Sequence, residues 1–321
     1  MIEAVVLGRV GVDLTPSEPR TSLSAAASFV RAVGGFAGNV GTGLARLGIA
    51  TALVSAVGED GHGDHVRSFL AGESIDVDGI LRRAAARTQV AFFEVWPPDR
   101  FPVTFYRLPP PPETLLTTEE IGRTSFGRAP MAVVSATMLA AEPARTAVLS
   151  ALEARASRSG DAGGTTTVLD LDWRPTLWDD PSAAPSLVAG LLPLVDVVVG
   201  GDDEFAASGL DPMATLERGP AIVALKHGPD GVSVLTRSNR RRLQGRPVDV
   251  LCGIGSGDAF LASFAAGLLR GLDPLAAAAR GDAAGAIVAS RLMCSTAMPR
   301  PAEIDALLER RPSPAREEVR A

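Results

Sequence analysis

Six short runs of almost unbroken apolar residues recur along this chain: AVVLG (4–8), TALVSAV (51–57), MAVVS (131–135), TVLDLD (167–172), DVVVG (196–200) and AIVALK (221–226). Strands that face water on one side alternate apolar and polar residues; these do not. They read as strands buried on both faces, which is the condition of a parallel sheet covered by helices. Helix-like stretches lie between them: AGNVGTGLARLG (37–48), a piece around residue 70 ending LAGE, and EPARTAVLSALEARAS (142–157). Strand and helix in alternation predict an α/β fold. No repeat of solenoid period interrupts the pattern.

With 321 residues, 46% of them hydrophobic, the chain can fill one large α/β domain or two modest ones. Its net charge of -6 argues against a nucleic-acid-coating surface. Two cysteines, Cys252 and Cys294, form no disulfide framework and fit a reducing compartment. The start MIEAVVLGRV has an acid where a signal peptide needs basic residues. No apolar run is both long enough and free of proline to span a membrane. The expectation is a soluble, cytoplasmic protein with neither nucleic-acid nor membrane partners. Residues 312–321, PSPAREEVRA, read as a disordered tail.

Two regions break the alternation. Residues 13–33 are mixed, and TQVAFFEVWPPDRFPVTFYRL (88–108) reads as two strands joined by a proline-containing turn. Extra strands of this kind, inserted into an α/β sheet, form a lid.

Near the C-terminal end stands LCGIGSGDAFLASFAAGLLRG (251–271), with Gly253, Gly255 and Gly257 at alternate positions and Asp258 directly after them. Phe260, Phe264 and Leu268 recur every four residues, as do Leu261, Ala265 and Leu269, so one apolar stripe marks a helix. Arg270 and Gly271 close it, and its start falls at Ser256 to Asp258. The first N–H groups of a helix lack partners and carry positive partial charge. Glycines beside them let an anion reach the bare backbone, so the turn is a candidate phosphate cradle. The alternative is a plain helix start with Asp258 placed for the dipole. There is no Walker A sequence and no G-x-G-x-x-G, which also counts against a nicotinamide dehydrogenase.

A second glycine cluster, VGGFAGNVGTGLARLG (33–48), precedes another helix. Together, GGFAGNVGTGLARLG and GIGSGDAFLASFAAGLL resemble the two signatures of the ribokinase family of carbohydrate kinases, the PfkB type. VGEDGHGD (57–64) resembles a further loop of that family, and the likeness spans residues 4–308. It implies a three-layer α/β fold with a mostly parallel central sheet and a small β lid. A kinase domain over 1–311, with lid segments at about 13–33 and 88–112, follows from the same resemblance, as does a homodimer through the lid.

The resemblance also implies roles. Gly255, Ser256 and Gly257 form an anion hole for the transferring phosphate, and Asp258 is the base that takes the sugar hydroxyl's proton. Aimed N–H donors suit a transition state rich in negative charge. Asp13, Gly34, Gly35 and Asn39 match substrate contacts. FPVTFYR (101–107) and DLDWRPTLW (170–178) resemble the kinases of keto-deoxy sugar acids, with 5-dehydro-2-deoxygluconate or 2-keto-3-deoxygluconate as substrate. Arg107 and Arg174 would hold the acid's carboxylate by their planar forks, and Tyr106 would add a hydroxyl. A neutral-sugar kinase of the fructose or ribose type is the alternative, and a non-catalytic sugar or nucleotide sensor the different-class one.

ALKHGPDGV (224–232) reads as strand, tight turn, strand and resembles the family's nucleotide loop, which makes Lys226, Gly228 and Gly231 candidates for ATP binding. A plain hairpin explains those glycines as well. Asp282 matches a position on the adenine side. Glu204 in GGDDEF matches the glutamate that organises magnesium through water, although Gly201 stands where the family has asparagine. Magnesium is expected to bridge the ATP phosphates. Many relatives place an aspartate six residues before the base; here that residue is Cys252, so potassium dependence stays open. The cluster His62, Asp64 and His65 reads as part of a loop rather than a metal site.

Overall fold

The computed structural model describes residues 1–157, 164–310 and 315–317. In chain order the strands are β1 (Ala4–Leu7), β2 (Gly11–Pro16), β3 (Phe29–Gly34), β4 (Thr51–Gly58), β5 (Ile80–Arg83), β6 (Val90–Phe93), β7 (Val103–Tyr106), β8 (Met131–Ser135), β9 (Thr166–Asp170), β10 (Val197–Gly201), β11 (Ile222–Lys226), β12 (Val232–Thr236), β13 (Arg240–Leu243) and β14 (Ala315–Glu317). All six apolar runs form strands, and all six are neighbours in one parallel block.

The main sheet runs β14-β13-β12-β11-β10-β9-β8-β1-β4-β5. From β11 to β5 every pairing is parallel, and β12, β13 and β14 complete it antiparallel. The reason for the unbroken apolar runs is visible in β1. Ala4 and Val6 enter one core, Val5 and Leu7 the other, so alternate residues serve opposite helix layers. The helices Phe36–Arg46, Ser256–Leu269 and Pro274–Ala289 help cover one face. Ala144–Ala156 and Ala184–Leu191 help cover the other. This is the expected three-layer arrangement.

A separate four-stranded sheet, β3-β2-β6-β7, forms the lid. β2 and β3 are an antiparallel pair, β6 and β7 are another, and β2 joins β6 in parallel. β6 and β7 fall inside 88–108, and β2 and β3 overlap 13–33 while extending beyond it to Gly11 and Gly34. The tail differs from expectation in one place: Ala315–Glu317 pairs antiparallel with β13. The rest of 312–321 lies outside the described residues. Among the described residues, no helix is long and apolar enough to cross a membrane.

Candidate active site

Strand ends converge on a cavity of ≈ 430 Å³, within the usual size for a small-molecule site. In open parallel sheets ligands bind beyond the carboxyl ends of the strands, and Asp170 and Lys226 are the last residues of β9 and β11. The lid supplies Asp13, Ala91, Phe93, Val103 and Phe105 to the same cavity. Asn39, Glu204, Gly255, Gly257 and Asp258 arrive from helix starts or early turns.

The three alternating glycines serve three different purposes. A Cβ on Gly253 would stand 3.1 Å from the ring of Phe101, a lid residue. Gly255 has φ 84, and its Cβ would fall 2.9 Å from the Cβ of Cys294, so both conformation and space demand glycine. Gly257 faces the open cavity; the nearest atom to its absent Cβ is Nζ of Lys226, 3.5 Å away. The helix begins at Ser256 with Gly255 as its cap residue and no side-chain cap. Ser256 turns its hydroxyl back onto the carbonyl of Gly253 at 2.7 Å. Asp258 therefore does not cap the helix, and the positive helix end is left open to the cavity.

Asp258 Oδ2 accepts a 2.7 Å hydrogen bond from Nδ2 of Asn39. Burial, then repulsion from Asp172, push its pKa up to about 6, against donation by Asn39 and the attraction of Arg174 and Arg9. Asp13 is pushed up to about 7, chiefly by burial. A Cβ on Gly34 would lie 2.1 Å from the Asp13 carboxyl group, which explains that glycine. Gly35 and Asn39 line the cavity.

Several groups at the site were not singled out in the sequence. Arg9, only 6% exposed, bonds Asp172 through both guanidinium nitrogens, one of them at 3.2 Å, and also donates to Thr137 at 2.8 Å. Ser135 donates to Asp172 at 2.7 Å. Burial opposes the charge on Asp172, but Arg9 and Arg174 outweigh it and hold the pKa below the usual carboxylate range. Asp170 receives the N–H of Asp172 at 2.9 Å and faces Lys226 at 3.4 Å. Burial works against the charge of Lys226, yet Asp170 and Glu204 hold its pKa above the ordinary lysine value. Gln89 donates to the carbonyl of Val10 at 3.0 Å; its own carbonyl oxygen is buried without a partner among the described residues. An arginine placed directly after an apolar strand was the available signal for Arg9, because such a residue has to find a buried carboxylate.

Two expectations on the sugar side are corrected, and three residues expected on the nucleotide side lie outside this cavity. Arg107 does not face the cavity; it is paired with the buried carboxylate of Glu113, six residues on. Tyr106 is 62% exposed and packs edge-on against Phe92 on the outer face of the lid. Strand alternation gives the inward position to its neighbour Phe105. Asp282 meets Nε of Arg246 at 3.0 Å, away from the cavity. Gly228 and Gly231 make the β11–β12 turn with φ values of 57 and 101, and neither lines the cavity. The cation beside Arg174 is thus Arg9. Both cysteines are buried and free. Among the described residues no group of histidine, cysteine, aspartate and glutamate could hold a metal, which includes His62, Asp64 and His65.

An open helix end with a partly buried carboxylate in its first turn, beneath a β lid, can receive an anion beside a group able to accept a proton. Residues 1–301 match the pfkB family carbohydrate kinase description. The chain belongs to the pfkB family of carbohydrate kinases. It is similar to the 5-dehydro-2-deoxygluconokinase of Shouchella clausii, at 30% identity over 96% of this chain and 95% of that one. The 5-dehydro-2-deoxygluconokinase of Photobacterium profundum is 33% identical, over 93% and 92%. Among solved structures it is similar to the ATP-bound fructokinase of Xylella fastidiosa, with TM-score 0.82, 23% identity and 97% and 99% coverage. The Vibrio cholerae fructokinase holding fructose, ADP and a calcium ion gives TM-score 0.82 at 23% identity over 96% and 99%. The ribokinase-like fold is shared, and as a carbohydrate kinase the protein is a phosphotransferase acting on a sugar.

Proposed function

We propose that this carbohydrate kinase transfers the γ-phosphate of ATP to the terminal hydroxyl of a keto-deoxy sugar acid, with 5-dehydro-2-deoxygluconate as first choice. The observation that carries the reading is Arg174. Its side chain is 52% exposed and turned into the cavity, 3.5 Å from Asp172, close to the base. Asp172 already has Arg9 as a partner, so the guanidinium of Arg174 has donors to spare for a carboxylate. The two 5-dehydro-2-deoxygluconokinases support the same substrate.

The steps follow from the residues. The lid's Ala91, Phe93 and Phe105 cover the sugar, and Asp13 and Asn39 meet its hydroxyls. Asp258 takes the proton of the attacking hydroxyl. The N–H groups at Gly255–Gly257 receive the phosphoryl oxygens as the bond to ADP breaks. Magnesium fits as an ion carried on the phosphates rather than in a protein cage. Both oxygens of Glu204 accept backbone N–H groups, of Gly201 at 2.7 Å and Trp173 at 3.2 Å, and the ammonium of Lys226 stands 3.7 Å from one of them. Glu204 would reach such an ion through water, and the ion would offset charge on the phosphates.

Arg174→Ala tests the reading. We expect kcat/KM for the acid to fall roughly 30-fold or more, while values for fructose and ribose change less than about threefold. Arg107→Ala, by contrast, should leave the ratio of acid to neutral sugar unchanged and lower Tm, since it strands Glu113 in the interior. Equal losses on acid and neutral sugars in Arg174→Ala would remove the carboxylate from this position.

A further inference from the structure

Three cations line the cavity among the described residues: Arg9, Arg174 and Lys226. The first two are tied to Asp172. Lys226 is placed differently. It ends β11, in register with Gly201 at the end of β10. Its ammonium stands 3.4 Å from Asp170 and 3.7 Å from Glu204, beyond the roughly 2.7–2.9 Å of a close ion pair. The same nitrogen is 3.5 Å from the point where a Cβ on Gly257 would lie. A full positive charge is thus loosely held beside the open end of the helix that cradles phosphate. A lysine is suited to such a place, being a compact charge on a flexible stem with three rotatable donors.

We propose that Lys226 is a catalytic residue of the phosphoryl transfer. In the free enzyme its ammonium rests between Asp170 and Glu204; with ATP bound it turns onto the oxygens of the group in flight. The new bond joins the sugar oxygen to phosphorus, and the bond from phosphorus to the bridging oxygen breaks. The hydroxyl proton goes to Asp258, and the bonding electrons leave with ADP. Lys226 gives up no proton; it meets charge that the backbone N–H groups share. Asp170 is its resting partner and a positioning residue. The inference rests on kinase activity alone and stands whichever sugar is accepted.

The experiment compares wild type, Lys226→Met, Lys226→Arg and the double variant Asp170→Asn with Lys226→Met. The acceptor is whichever of 5-dehydro-2-deoxygluconate, fructose and ribose gives wild type its highest kcat/KM. In Lys226→Met, kcat should fall roughly 100-fold or more, with both KM values within about threefold. Lys226→Arg should recover part of that loss. The double variant, which removes the unpaired carboxylate, should regain Tm but stay slow. Calorimetry supplies a readout free of the sugar's identity: wild type should bind ADP with aluminium fluoride more tightly than ADP alone, and Lys226→Met should lose most of that gap. A kcat within about threefold of wild type, a loss confined to the KM for ATP, an unchanged preference for the fluoride complex, or full recovery of rate in the double variant would each overturn the proposal.

Discussion

Asp258→Asn is expected to give a folded, ATP-binding protein whose kcat is lower by roughly two to four orders of magnitude, the usual contribution of a general base. The variant keeps the shape of the site, because Asn39 can still donate to the remaining carbonyl oxygen in place of Asp258 Oδ2. Its stability follows from the sign of the pKa shift. Burial raises the folded pKa of Asp258 to about 6, above the unfolded carboxylate value of about 3.9. The stabilising contribution is then fully present below about pH 4 and lost as pH rises through 6. At pH 8 the wild type holds an ionised group where burial disfavours it, so asparagine should leave Tm equal or higher. The same shift sets the pH profile. The working form is the carboxylate, so wild-type kcat/KM should fall about tenfold per pH unit below 6, and that acid limb should be absent from the variant. Steady-state rates between pH 5 and 8, with ADP release as the signal, check both statements. Turnover near the wild-type level in the purified variant would remove Asp258 from the role of base.

Gly257→Val should fold and yet lose phosphoryl transfer, with kcat down roughly 100-fold or more and little change in sugar KM. The nearest obstacle to a side chain at Gly257 is the movable end of Lys226, so the backbone can accept one. What the valine fills is the space in which the phosphoryl oxygens meet the helix end. Gly255→Val is the control with the opposite fault. Gly255 needs a positive φ and lies against Cys294, so substitution there should lower Tm through strain of about 1–3 kcal/mol plus overlap. A folded Gly257→Val enzyme with unchanged kcat would show that no anion sits against this backbone.

Much of this architecture could be read from the residues because parallel strands are apolar on both sides. β1, β4, β8, β9, β10 and β11 announced themselves as continuous runs, and their buried alternate faces confirm why. The helix at Ser256 was legible from its four-residue stripe, and the glycines before it from their cost. What the sequence left hidden depends on distant pairing. Arg9 and Asp172 are 163 residues apart, and nothing local in either stretch couples them. Tyr106 was misplaced by a single step of strand alternation, which gives the cavity to Phe105 instead, and Arg107, just past the end of β7, is taken by Glu113. The proline-rich run before Glu113 gave no sign that this glutamate is buried and takes the guanidinium of Arg107. Asp282 meets Arg246, which lies outside any motif used to find the site. Polar partnerships between remote strand ends are set by the three-dimensional register, and periodicity carries no information about them.

The most direct test of the substrate reading is the wild-type enzyme's kcat/KM for 5-dehydro-2-deoxygluconate beside those for fructose and ribose, each with saturating ATP and magnesium. A neutral sugar would forgo the charged hydrogen bonds that the half-exposed Arg174 guanidinium can give a carboxylate, worth about 1.5–3 kcal/mol. The acid is therefore expected to lead by roughly one to two orders of magnitude. Fructose or ribose equalling or exceeding the acid would contradict the account, leaving a carbohydrate kinase whose Arg174 recognises something other than a carboxylate.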